Sequence, residues 1–206
     1  MFQNGLLVLR ASNALHRVSP SSIIQRCSQL IQKTLYVHLV NDDVDFGDVQ
    51  NVMPGVPLIQ GVSSYITDFY ATANHLVKSL DVRFFLSNIS NHPISCVKPH
   101  RLRHGYDVIL TDFSSDRHQK LRCYAAALFP STSCETKVLQ GLGDLADSKL
   151  LAEKAADKAV ETYDNVVLGG TFDRLHVGHK ILLNEGCLLC DRTLTVGVTD
   201  GEMNKR

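Results

Sequence analysis

The stretch Gly169-Gly170-Thr171-Phe172-Asp173-Arg174-Leu175-His176-Val177-Gly178-His179-Lys180 decides how this chain is read. It follows a short aliphatic run, Val166–Leu168, and opens a helical pattern over Gly178–Cys190. Thr193–Val198 then reads as another strand. Strand, helix and strand in that order make one unit of a parallel α/β sheet, which collects ligands at the carboxyl ends of its strands. The two glycines are expected to break the first strand and let backbone approach a phosphate without Cβ interference. The helix starting near Gly178 would aim its unpaired N–H groups and positive dipole end at the same space. His176 and His179 are three residues apart, so both rings can face that space from the first turn. Gly178 would leave room there for a nucleotide.

Upstream, four aliphatic runs read as buried strands: Leu6–Leu9, Leu35–Val40, Val82–Asn88 and Tyr106–Leu110. Helical patterns lie between and after them, near Pro20–Gln32, Ser63–Leu80 and Ser115–Leu128. Ser19-Pro20 fits an N-cap followed by proline at the first helical position. The alternation predicts a first α/β unit over 1–128. Asn41–Gly61 reads as a loop with a turn at Pro54-Gly55, and Pro130–Gly143 as a linker. Leu145–Thr162 reads as a charged helix with Lys149 four residues before Glu153. Residues 129–163 are thus linker and helix, and 164–206 begin a second α/β unit.

The chain has 206 residues, 44% hydrophobic and 20% charged, an ordinary globular mixture that excludes a mainly disordered, collagen-like or coiled-coil protein. It is too short for several complete catalytic domains. Lys and Arg number 21 and so do Asp and Glu, which argues against a globally basic nucleic-acid binder. No apolar run approaches the roughly 18 residues of a transmembrane helix. Charge is nevertheless patchy. Residues 1–41 carry Arg10, Arg17, Arg26 and Lys33 and no acid, whereas 42–70 carry five aspartates and no base. An acid-free, Arg- and Ser-containing N-terminus has the composition of a mitochondrial transit segment. Its own strand and helix pattern favours a folded segment, so the location reads as cytoplasmic with mitochondrial association left open. The six cysteines are irregularly spaced, which does not suggest a disulfide framework. Cys187-Leu-Leu-Cys190 has no second metal-binding pair and is expected to be two buried helix cysteines. The cluster Lys98, His100, Arg101, Arg103 and His104 reads as a solvated loop before a strand rather than a phosphate site.

The combined string GGTFDRLHVGH resembles the signature of the nucleotidylyltransferase superfamily, with its GTFD and HxGH elements. The longer run through Lys180-Ile181-Leu182-Leu183 most resembles the pantetheine-phosphate adenylyltransferase branch found in eukaryotic CoA synthases. Gly5–Leu9, Thr34–Leu39, Asp81–Ile89 and Asp107–Phe113 also resemble the N-terminal region of that family, though only Val166–His179 is motif-grade. The resemblance implies a Rossmann-like fold of the HxGH type. It also implies transfer of AMP from ATP, with Mg²⁺, to 4′-phosphopantetheine, giving dephospho-CoA and pyrophosphate. By that resemblance His179 is the catalytic histidine that contacts the ATP phosphates, and His176 contacts nucleotide phosphate. Thr171 would hydrogen-bond the acceptor's phosphate, and Gly169, Gly170, Phe172 and Gly178 would surround the nucleotide. Asp173 would hold the loop. Lys205 falls where the family has a phosphate-binding lysine, as a catalytic and substrate-binding residue, although its local sequence differs and a solvated terminal lysine is the alternative. No metal-ligand set is expected.

The chain departs from the family. No serine- and threonine-rich motif with a basic residue follows Val198, and no GxxxxGK[ST] loop is present. The expectation is a fragment or truncated reading frame, catalytically weak or inactive alone. An internal echo also stands out. Leu6-Leu7-Val8 aligns with Val166-Val167-Leu168, Cys27 with Cys187, and Thr34-Leu35-Tyr36-Val37 with Thr193-Leu194-Thr195-Val196. At the site positions Leu9-Arg10 replaces Gly169-Gly170, Ala11 replaces Thr171 and Ser19 replaces His179. Residues 1–128 therefore read either as a degenerate nucleotidylyltransferase-like domain or as a chance likeness between two β-α-β units. Three functions remain in view: the adenylyltransferase, a cytidylyltransferase for a phosphorylated alcohol, and a non-catalytic module whose first domain docks protein partners.

Overall fold

The computed structural model describes residues 1–12, 18–42, 44, 46, 55–90, 102, 105–129, 135–139, 158–172 and 174–199. The first unit is a five-stranded parallel sheet of β1 (Phe2–Arg10), β2 (Ile31–Val40), β3 (Asp81–Phe85), β4 (Val108–Thr111) and β5 (Glu135–Val138). The strand order is β3-β2-β1-β4-β5. Strand order reverses between β1 and β4, the place where such sheets open a crevice. Helices α1 (Pro20–Ser28) and α2 (Gln60–Leu76) cover one face, and α3 (His118–Leu128) covers the other.

Alternation along the strands builds both cores. Leu7 and Leu9 point to the α1–α2 face with Ile23, Ile24 and Phe69. Leu6 and Val8 point to the α3 face with Leu121, Tyr124 and Leu128. Strand β1 is central and Leu6 through Leu9 are at most 1% exposed, which explains why these runs read as continuous apolar stretches. The acid-free N-terminal segment therefore supplies the middle of the sheet. Cys27 packs in the α1 core, where burial pushes its thiol up to about 12, so it serves packing.

Several boundaries differ from the sequence expectation. Helix α1 ends at Ser28, because Leu30 N–H closes onto the Cys27 carbonyl and buried Ile31 already starts β2. Strand β3 stops at Phe85, and Ile89 instead bridges Val56. The fifth strand, Glu135–Val138, falls inside the expected linker; it is a short edge strand without a buried residue, so it lacks the apolar signal of the others. The expected charged helix does not reach Lys158–Thr162. There Ala159 bridges Ile59, and Val160 N–H donates to the Leu58 carbonyl. Residues 140–157, and Pro54 of the expected turn, lie outside the described residues.

The second unit is β6 (Tyr163–Gly170), α4 (Val177–Leu188) and β7 (Cys190–Val198), with β6 and β7 parallel. Gly169 and Gly170 do not break the strand: they pair with Gly197 and Val198 inside it. Cys190 opens β7 rather than ending the helix, and Cys187 is exposed, so the two are not a buried helix pair. The residue facing the sheet is Gly186, whose Cβ would lie 2.6 Å from Leu168 Cδ1.

The two β-α-β pieces share a backbone irregularity. Phe2 pairs with Ile31 and Asn4 with Thr34, with a register shift between them. Tyr163 pairs with Cys190 and Asn165 with Thr193, with the same shift. Phe2 N–H donates to the Leu30 carbonyl, and Tyr163 N–H to the Leu189 carbonyl, the residue before each second strand. This frame superimposes Thr34 on Thr193 as the sequence alignment has it. It sets Asn4 on Asn165, moving the first-strand frame by one, and sets Cys27 on Gly186 rather than on Cys187.

Candidate functional site

The site forms where β6 ends and α4 begins. Thr171 is exposed and Phe172 has φ 45°, the left-handed region that a bulky residue rarely adopts. Gly170 permits this turn, since a Cβ there would lie 2.9 Å from the Phe172 ring. A Cβ on Gly169 would meet nothing within 4 Å, so that end of the strand faces open space.

His176 caps α4: its Nδ1 accepts the Gly178 N–H at 3.1 Å. A ring nitrogen that accepts carries no proton, so the His176 proton sits on Nε2, which is a donor. The Nδ1 of His179 lies 3.1 Å from the Arg174 carbonyl, an acceptor only, so it donates. The two rings stack at 4.0 Å between centroids, and the Phe172 ring lies 4.7 Å from that of His179. Gly178 makes room first for the His176 ring, which a Cβ would approach to 3.0 Å. The arrangement offers one fixed N–H donor at His176 and, at His179, an Nε2 that donates only as the imidazolium. Both suit oxygen atoms of a phosphate at a helix N-terminus.

A cleft of about 210 Å³ adjoins the motif. One wall is Leu175, His176, Val177 and Lys180; the other is Tyr70, Asn74, Lys78 and Asp81 of the first unit. His179 and the two glycines are not part of its lining. The Lys180 ammonium bonds the Asp81 carboxylate and the Val82 carbonyl. Burial would raise the Asp81 carboxyl, but hydrogen bonds from Lys180 and Arg83 outweigh it and hold the group below its ordinary value. The structure thus brings Gly169, Gly170, Phe172, His176, Gly178 and His179 into one turn, with Thr171 beside them. Asp173, Lys205 and the cluster Lys98, His100, Arg101, Arg103 and His104 lie outside the described residues. The first-unit wall was absent from the sequence reading.

Known proteins match the chain in two parts. The COASY N-terminal domain family matches residues 3–139, and the cytidylyltransferase-like family matches residues 167–206. Among curated proteins, a phosphopantetheine adenylyltransferase from Thermococcus gammatolerans is 54% identical over 41 residues, 20% of this chain and 25% of the relative. Those from Pyrococcus furiosus and Pyrococcus horikoshii are 49% identical over 43 residues and 44% over 46. They cover 21% and 22% of this chain and 26% and 28% of the relatives. The chain therefore spans about a quarter of the length of the curated relatives it matches. No solved structure matches significantly. The likeness to nucleotidyltransferases drawn from the GGTFDRLHVGH string is borne out. Among the described residues no helix is long and apolar enough to cross a membrane.

Proposed function

Because the chain belongs to the COASY N-terminal domain family and continues into a cytidylyltransferase-like segment, we propose that it carries the nucleotide-binding turn of a pantetheine-phosphate adenylyltransferase. The observation that carries this reading is the stacked His176–His179 pair at the start of α4, beside the open end of β6 at Gly169. MgATP enters as substrate and 4′-phosphopantetheine as acceptor. An acceptor phosphate oxygen forms a bond to the α-phosphorus of ATP while the bond to the β-phosphate oxygen breaks, and pyrophosphate leaves. This in-line exchange needs no covalent enzyme intermediate, so the protein's part is to orient two phosphates and stabilise their charge. His176 donates from Nε2 to a phosphate oxygen, and His179 does so as imidazolium. Thr171 supplies a hydroxyl to the acceptor's phosphate. Lys205 is assigned to the triphosphate by family position alone.

A cytidylyltransferase acting on a phosphorylated alcohol is the second reading, favoured by the description of the family that matches residues 167–206. Calorimetric titration of the 206-residue chain with MgATP, MgCTP and 4′-phosphopantetheine separates the two. The adenylyl reading expects MgATP and 4′-phosphopantetheine to bind and MgCTP to bind at least about tenfold more weakly, a difference of about 1.4 kcal/mol. Preference for MgCTP would replace it with the cytidylyl reading.

A further inference from the structure

Helix α4 carries the candidate site at its first turn, yet much of its polar anchoring comes from the first unit. Lys180 bonds Asp81 and the Val82 carbonyl of β3. One turn later the Asn184 amide donates to the Tyr70 hydroxyl at 3.2 Å, and that hydroxyl also accepts the Phe84 N–H of β3. Glu185 accepts from the Ser63 hydroxyl at 2.7 and 2.9 Å and from Thr67 at 3.0 Å, both on α2. Apolar contacts follow the same line: Val177 and Ile181 pack against the first unit's core, and Leu188 is 5% exposed within it.

We propose that the first unit is a positioning scaffold for the motif helix, with Asp81, Tyr70, Ser63 and Thr67 as positioning residues that act through Lys180, Asn184 and Glu185. Lys180 follows His179 directly, so the register in which Lys180 meets Asp81 sets where the histidine pair stands. The polar partners are directional and spaced at i, i+4 and i+5, around the side of the helix that meets the first unit, which locks rotation and axial slide together. The Lys180 and Asp81 side chains are 30% and 32% exposed, and an ion pair so placed adds little net stability. Its effect is to select one geometry at a site where small misplacement is costly. The consequence for nucleotide binding rests on the adenylyltransferase reading; the docking of the helix does not.

The test uses the 206-residue chain with Asp81→Asn, Lys180→Met and the double variant that carries both. Hydrogen exchange is followed without nucleotide, and MgATP affinity is measured separately. Either single variant is expected to speed exchange of the 181–188 amides about three- to tenfold while leaving Leu6–Leu9 amides unchanged. The double variant is expected to exchange no faster than Lys180→Met alone, whereas two independent losses of packing would multiply. MgATP should weaken in the single variants and no further in the double variant. Unchanged exchange in α4 for both single variants, or acceleration spread equally over β1, would overturn the proposal. Altered α4 exchange in a chain that binds no MgATP would sustain the scaffold and reject the nucleotide reading.

Discussion

The two β-α-β pieces follow the same path and end differently. In the second, β6 closes on Gly169-Gly170 and the strand end faces open space. In the first, β1 closes on Leu9-Arg10, and Arg10 fills the point where strand order reverses. Its backbone N–H meets both Asp112 carboxylate oxygens at 3.3 Å, its Nε donates to Oδ2 at 3.3 Å, and its guanidinium lies 5.3 Å over the Phe113 ring. At the helix start, Ser19 caps α1 where His176 caps α4. The shared register shift is a likeness of backbone path between two strand ends that carry different residues. The two strand ends differ in carrying two glycines followed by two histidines in one, and an arginine with its acid in the other.

The comparison can be broken most forcefully at Asp112. Its side chain is fully buried and accepts the Arg10 backbone N–H as well as the 30% exposed side chain, so Asp112→Ala should destabilise the first unit by about 2–3 kcal/mol. Urea unfolding followed by circular dichroism reads this, and a loss under about 1 kcal/mol would mean that Arg10 does not depend on its partner. Next comes His179→Ala, which under the proposed function removes one charge-assisted phosphate contact and should weaken MgATP about 10- to 100-fold. Ser19→Ala, at the cap of the first unit's helix, should cost about 1 kcal/mol and leave MgATP affinity alone. Equal effects of the two on affinity would erase the distinction between the units.

A smaller effect is expected at Gly186. Gly186→Val drives methyls toward Leu168 Cδ1 and should lift α4 from β6, at about 1–3 kcal/mol. Thermal unfolding would register it, and an unchanged midpoint would show that Leu168 yields freely. The mildest lever is acid. Asp81 sits below its ordinary value, so its stabilising effect is complete above about pH 4 and fades as pH falls through the folded value. Lys180 and Arg83 face it, with Lys78 and His176 in the same cleft. Following the Asp81 carboxyl carbon and the Asn184 amide by magnetic resonance should show them titrating together below pH 4. Titration of Asp81 at or above its ordinary value would contradict the pairing.

Much of the first sheet was legible because its central strands bury both faces and leave unbroken aliphatic runs. The fifth strand was not, since Glu135–Val138 is an exposed edge without that signal. The histidine turn was legible because its residues are contiguous. The facing wall was not: Asp81 and Lys180 are 99 residues apart and no local pattern joins them. One sign was present, namely Lys180, Asn184 and Glu185 within the apolar run of the helix. Gly186 was overlooked for a related reason, since a glycine inside a helical run announces close packing only when its neighbour is known.

The central claim is that nucleotide binds at the second unit's turn and not at the corresponding end of the first. Backbone amide resonances of the chain titrated with MgATP test it directly. The account predicts shifts at Gly169–Phe172 and Val177–Lys180, with Arg10–Ser12 and Thr111–Phe113 unmoved. Shifts centred on Arg10 and Asp112 would contradict it.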